Sequence, residues 1–178
     1  MDLEQLRFPI GRYEKPENFS DAPLSTWINQ IEVLPKLLED ETKGLTDHEL
    51  AFHYRPDGWS IRQVIHHCAD SHMNAFIRFK LALTEEQPTI KPYLEQYWAE
   101  LDDVQHSSIH FSLLILEGVH NRWTNLLKRL TEEQWKRSFI HPQYHTTYAL
   151  WESAGNYAWH GLHHLAHVKQ AKQLQFPH

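Results

Sequence analysis

The sequence predicts an all-α protein, a four-helix bundle with a long connection between its second and third helices. Three observations carry that prediction. Four stretches repeat apolar residues at spacings of three and four, as helices with one buried face do. Capping signals stand where the pattern restarts, at Ser60 and at Thr131. No segment alternates apolar and polar residues as a half-buried strand would.

The elements follow in chain order. Residues 1–23 hold Pro9, Gly11, Pro16 and Pro23 with little periodicity, and read as an extended arm laid over the domain. From Leu24, the positions Trp27, Ile31, Leu34 and Leu38 form one buried stripe, with Pro35 expected to kink or shorten that helix. Thr46 to Leu50 can form a single turn. Arg55-Pro56-Asp57-Gly58 is turn chemistry, and Ser60 with Gln63 makes a capping box that starts the second helix near Ile61. Its broad side carries Ile61, Val64, Ile65, Cys68, His72, Phe76 and Phe79, while Gln63, His67, Ser71, Asn74 and Arg78 draw a polar stripe opposite.

Thr84 to Gln105 is the long connection, with a short helical stretch expected at Leu94–Leu101. A third helix, about Ser108–Leu130, has Ile109, Leu113, Leu116, His120, Trp123, Leu127 and Leu130 along its seam, so His120 interrupts an apolar row. Thr131 and Gln134 cap a short turn, Phe139–Thr146 reads as a loop, and the fourth helix runs from about Tyr148 to Leu174.

At 178 residues the chain suits one domain spanning 1–178, and nothing in its middle resembles a linker. The net charge is -6 and the 17 Lys and Arg are scattered, which argues against a nucleic-acid surface. No basic-then-apolar leader and no apolar run near the roughly 20 residues of a membrane span occur, so no membrane role and a cytoplasmic setting are expected. A single cysteine, Cys68, excludes an internal disulfide and reads as a small buried hydrophobe. The anomalies are 15 histidines and 7 tryptophans.

Four of those histidines fall in Tyr157-Ala158-Trp159-His160-Gly161-Leu162-His163-His164-Leu165-Ala166-His167. His160 and His164 stand one above the other on a helix, with β-carbons roughly 5–6 Å apart, within reach of one divalent ion. If the polar stripe of helix two also points inward, His67 joins as a third nitrogen ligand. Three imidazoles leave a coordination position open, as catalytic sites do, whereas a structural site usually closes with a fourth protein ligand. No His-Glu-x-x-His, nucleophile elbow or phosphate-cradling glycine loop is present. The spacing alone is equally consistent with a solvated or capped histidine pair.

Trp59-Ser60-Ile61-Arg62-Gln63-Val64-Ile65-His66-His67-Cys68-Ala69-Asp70-Ser71-His72, taken with the Tyr157–His167 run, resembles the DinB/YfiT-like family of metalloenzymes. The likeness covers nearly the whole chain, from Phe8-Pro9-Ile10-Gly11 to the last helix. It implies a four-helix bundle holding one divalent metal per chain, nickel or zinc, on His67, His160 and His164. It also implies a homodimer and a metal-dependent hydrolase acting on a small-molecule substrate. Some relatives instead transfer low-molecular-weight thiols, including bacillithiol, to electrophiles. Ligand chemistry alone also admits copper and iron.

Other residues carry two readings each. His66 and His163 flank ligands but point elsewhere. His167, one turn beyond His164, is a partner of the ligands or a satisfied core histidine, and His120 lines a pocket or is likewise satisfied. Asn74 and Arg78 meet an anionic substrate or face solvent; Tyr157 donates a proton or packs in the core. The whole constellation has a second reading too, a non-catalytic, stress-related protein in which a structural metal ties two helices together.

Overall fold

A computed structural model describes residues 2–177. The element order is α1 (Leu3–Arg7), a 3-10 turn (Phe19–Asp21), α2 (Leu24–Thr42), α3 (Asp47–Leu50), α4 (Ile61–Thr84), α5 (Glu95–Trp98), α6 (Asp102–His106), α7 (Ile109–Leu127), α8 (Glu132–Trp135), β1 (Ser138–His141), β2 (Thr146–Ala149) and α9 (Leu150–Leu174). The four long helices α2, α4, α7 and α9 form the expected bundle, and the α4–α7 connection is the long one.

Local chemistry sets the helix starts. At α4 the Ser60 hydroxyl accepts from the Gln63 backbone N–H at 3.2 Å, and the Gln63 amide oxygen accepts from the Ser60 N–H at 3.0 Å. Thr46 and Glu49 do the same for α3, and Thr131 and Gln134 for α8. Ala149, before α9, has no side-chain acceptor, so only half the device operates there: Glu152 accepts from its N–H at 2.8 Å.

Four sequence expectations are corrected. Residues 1–23 are not wholly extended, since Leu3–Arg7 forms a helical turn with Leu6 buried. The long connection holds two short helices, α5 and α6, and not one. Phe139–Thr146 is no plain loop, because Ser138–His141 pairs antiparallel with Thr146–Ala149 across a turn in which His145 has φ 49°. Its residues lack clean alternation, which hid the hairpin. Pro35 does not shorten its helix; α2 continues to Thr42.

The principal contacts run α2–α9, α9–α4, α4–α7 and α7–α2. Successive long helices α2 and α4 therefore stand at opposite corners of the bundle, as do α7 and α9, and α4 lies directly beside α9. α4 and α7 are neighbours that both run from the Leu116 cluster to the Trp123 cluster, so they are parallel, and the link between them has to return along the bundle. Close approach of α2 to α9 is made possible by glycine: a Cβ on Gly155 would come within 2.7 Å of Trp27, and one on Gly161 would run into Leu34.

The core has two apolar clusters, one around Trp27, Ile31, Phe79 and Trp123, the other around Leu34, Ile61, Leu116 and Val168. On every long helix the switch between them falls at one level. Ile31 gives way to Leu34, Phe76 to Ala69, Trp123 to Leu116 and Ala158 to Leu165. His72, His120 and His160 sit at that level. Among the described residues no helix is long and apolar enough to cross a membrane.

Candidate metal centre

His67, in the second turn of α4, faces His160 and His164 across the α4–α9 contact. One nitrogen from each lies within 4.8 Å of the other two. His67 Nε2 and His160 Nε2 are 3.2 Å apart, and the rings of His160 and His164 are centred 4.5 Å apart. Trp59 covers the cluster from outside, 4.6 Å from the His67 ring. Burial pushes His67 down to about 4, and burial together with the neighbouring imidazoles holds His160 and His164 well below the usual range. All three are thus neutral near pH 7, the form that offers a lone pair.

Which nitrogen offers it follows from two chains of histidines. His120 Nδ1 lies against the carbonyl oxygen of Ile31, which can only accept, so Nδ1 carries the proton. His120 is buried and pushed down to about 4, hence neutral, and its Nε2 must accept from His72 Nδ1 at 2.8 Å. His72, fully buried and also held neutral, accepts in turn at Nε2 from His160 Nδ1 at 3.1 Å. His160 Nε2 is left with its lone pair towards His67. The second chain is shorter. The Arg7 carbonyl accepts from His167 Nε2 at 3.2 Å, and His167, pushed down to about 3, accepts at Nδ1 from His164 Nδ1 at 3.4 Å. His164 Nε2 is freed in the same way.

Both carbonyls are ones that helix geometry leaves open. Arg7 is the last residue of α1. Ile31 would normally accept from the N–H of residue 35, but that residue is Pro35 and has none. The proline expected to kink or shorten α2 leaves an acceptor for His120.

These residues fit a divalent ion. Two nitrogens bound to one ion at about 2.0–2.1 Å lie roughly 3.0–3.4 Å apart for angles of about 90–110°, and the His67–His160 pair is at 3.2 Å. Neutral imidazoles held by hydrogen bonds at their far nitrogens are the usual setting of metal-binding histidines. Among the described residues no fourth His, Cys, Asp or Glu joins the cluster. Cys68 is fully buried in the apolar core and its thiol is pushed far up by burial.

A cavity of about 680 Å³ reaches this centre at His160 and is lined also by Arg78, Ser71, His141, Tyr93 and Tyr157. Of the other residues singled out in the sequence, Arg78 and Tyr157 face the cavity, and His120 and His167 belong to the histidine chains. Asn74 does not reach it: its side-chain amide donates to the Asp70 carbonyl of its own helix at 2.9 Å. His163 stacks on Trp159 and His66 contacts Ser112, both away from the triad's open side. Sequence reasoning missed His72, placed on the apolar side of α4. The available signal was that His72 and His120 both interrupt apolar rows, and two such residues on adjacent helices satisfy each other.

A helix bundle with a nest of three neutral imidazoles defines a metal-binding bundle protein. The chain belongs to the DinB superfamily, whose family model matches residues 30–168. YfiT of Bacillus subtilis, provisionally designated a metal-dependent hydrolase, is 45% identical over 170 residues, covering 96% of each chain. A Bacillus cereus relative with the same designation is 46% identical over 171 residues, 96% of this chain and 98% of its own. Another from Oceanobacillus iheyensis is 46% identical over 162 residues, 91% of this chain and 93% of its own. The solved structure of Bacillus subtilis YfiT, described as having an unusual four-helix bundle topology, superimposes with a TM-score of 0.91 at 43% identity, covering 97% of this chain and 99% of that one.

Proposed function

We propose that this chain is a metal-dependent enzyme whose His67, His160 and His164 hold one divalent ion, nickel or zinc, and activate a small nucleophile against a small electrophilic substrate. The observation that carries the reading is the pair of histidine chains: each begins at a main-chain carbonyl and ends by turning a ligand's lone pair into the same nest. The open cavity at His160 and the lack of a fourth ligand among the described residues favour catalysis over a structural tie. Bound there, a divalent ion would supply Lewis acidity and lower the pKa of water or a thiol.

The chain's own residues do the rest. His72 and His167 hold the ligand protons at Nδ1, so neither ligand can turn its lone pair away. Trp59 and the two apolar clusters keep bulk water from the back of the nest. Hydrolysis, the designation of the relatives, is the first reading. Transfer of a low-molecular-weight thiol is the second. One observation favours it: the carboxylates lining the cavity are Glu95, exposed at the rim, and Glu152, which is paired with Lys15 and capping α9, so among the described residues no carboxylate base stands at the triad. A thiol deprotonated by coordination needs no such base.

We further place the protein in the cytoplasm, consistent with its one free thiol, and propose that a homodimer forms through Phe111, Leu114 and Ile115, exposed together on α7. Sizing by light scattering that gives only monomer removes the dimer. For the activity, metal-loaded protein is offered ester and amide panels, and separately a small thiol with 1-chloro-2,4-dinitrobenzene. Turnover is expected to vanish on chelation and in His160→Ala. Turnover unchanged in metal-stripped His160→Ala protein sinks the reading.

A further inference from the structure

We propose that Arg78 is the anchor for the carboxylate of a small organic substrate, gripping it in the cavity that opens onto His160. This deepens the enzymatic reading above and rests on it for the word substrate. Arg78 is 9% exposed, yet it takes part in no ion pair among the described residues. Among the described residues its one hydrogen bond runs from Nη1 to the Tyr157 hydroxyl, at 3.4 Å; Nε is buried without a partner there, and Nη2 makes no hydrogen bond to them. A guanidinium is always charged, and burying it without an anion carries a desolvation penalty that one long hydrogen bond to Tyr157 does little to offset. The Nε–Nη2 edge, which no group of the fold pairs with, is the one that holds a carboxylate side-on with two parallel hydrogen bonds, and a small turn of the side chain would bring it to the ligand.

The rest of the cavity narrows the ligand. Its other cation, Lys15, is already matched by Glu152 at 2.6 Å, and Glu95 is exposed at the rim without pairing with Arg78. One unpaired positive charge suits a monoanion better than a phosphate dianion. His141, beside Arg78, is held neutral by burial and by that cation, and its Nδ1 also lacks a partner, leaving a second polar contact for the ligand. Six of the chain's seven tyrosines, Tyr13, Tyr93, Tyr97, Tyr144, Tyr148 and Tyr157, line the same space. Flat apolar faces edged with hydroxyls call for an organic body and not a bare inorganic anion. Tyr157 precedes His160 by one helical turn, roughly 5 Å along α9, so a molecule held at Arg78 extends its far end towards the triad.

The test compares 3-phenylpropionate with its neutral amide by calorimetry, using metal-loaded wild-type protein, Arg78→Gln and Arg78→Lys. The acid should bind wild type about 10- to 100-fold tighter than the amide. Arg78→Gln should abolish the difference and Arg78→Lys restore part of it. Because Arg78 has no anionic partner to orphan, Arg78→Gln should melt at or above the wild-type temperature, so a lost preference cannot be read as misfolding. A preference that survives Arg78→Gln and disappears on chelation would mean that the carboxylate binds the metal, and the anchor is overturned. With esters, Arg78→Gln should raise the ratio of the KM for mono-4-nitrophenyl succinate to that for 4-nitrophenyl butyrate by about 10-fold or more, and an unmoved ratio overturns the anchor. Arg78-dependent acid binding with no turnover of any panel leaves the anchor standing and removes the catalytic reading. Turnover with no Arg78-dependent preference does the reverse.

Discussion

Replacing His72 by leucine tests whether the histidine chain sets the centre. His72 is fully buried and joins His120 Nε2 at 2.8 Å to His160 Nδ1 at 3.1 Å. Leucine fills much of the space but leaves one donor and one acceptor unpaired in a dry layer, at about 1–3 kcal/mol each, so the metal-free fold should lose stability. It also frees His160 to take the other tautomer or turn its ring. Loss of such a partner typically weakens metal binding by about 10- to 100-fold, or about 1.4–2.7 kcal/mol. His72→Gln should behave differently, since an amide accepts at oxygen and donates at nitrogen and can preserve the direction of the chain. Affinities would be measured by competition with a chromophoric chelator, with the d–d spectrum of the cobalt-substituted protein reporting ligand orientation. If His72→Leu binds within twofold of wild type, or if His72→Gln is no better than His72→Leu, the argument from the carbonyl to the lone pair is wrong.

Metal-free protein should lose stability as pH falls from 6.5 towards 4. In that window unfolded imidazoles, near 6.5, take up protons while His67 and His120, held at about 4, do not; the unfolded state binds more protons and stability rises with pH. Asp70, pushed up to about 6 by burial, acts in the opposite sense and offsets part of this. Urea midpoints that rise on acidification across the window would contradict the assignment. Gly161→Ala should destabilise by about 1–2 kcal/mol, since the added methyl meets Leu34, which is 1% exposed and hemmed in, and overpacking outweighs the helical gain of about 1 kcal/mol; thermal melts decide it. Pro35→Ala should stabilise far less than the roughly 3 kcal/mol typical of a helix interior, because the restored N–H competes with His120 for Ile31. Its metal affinity should fall severalfold in the same chelator assay, and an unchanged value would show that the shared carbonyl is of no consequence.

Much of this was legible in the sequence. Ser60 with Gln63 announced α4, and the i, i+4 relation of His160 and His164 announced the half-nest on α9. Periodicity describes one helix at a time, however. That α4 stands beside α9 and α7, with α2 diagonal to it, is a property of the long connection and of Gly155 and Gly161, and only this adjacency turns His72 and His120 from interruptions into a pair. Arg78 had the right residue type, but its lack of an acidic partner is visible only in three dimensions. Asn74 shared its stripe and turned to its own backbone. The carbonyls of Ile31 and Arg7 carry no side-chain signature at all.

Those two carbonyls have a consequence for inheritance. Every residue can supply a carbonyl, so what positions 7 and 31 contribute to placing the protons of His160 and His164 does not depend on their side chains, although Ile31 is held by its place in the core. The polarity of the centre is stored in the path of the main chain, at a frayed helix end and above a proline. With the linking histidines in place, mutational drift erodes it by bending that path or by giving residue 35 back its hydrogen.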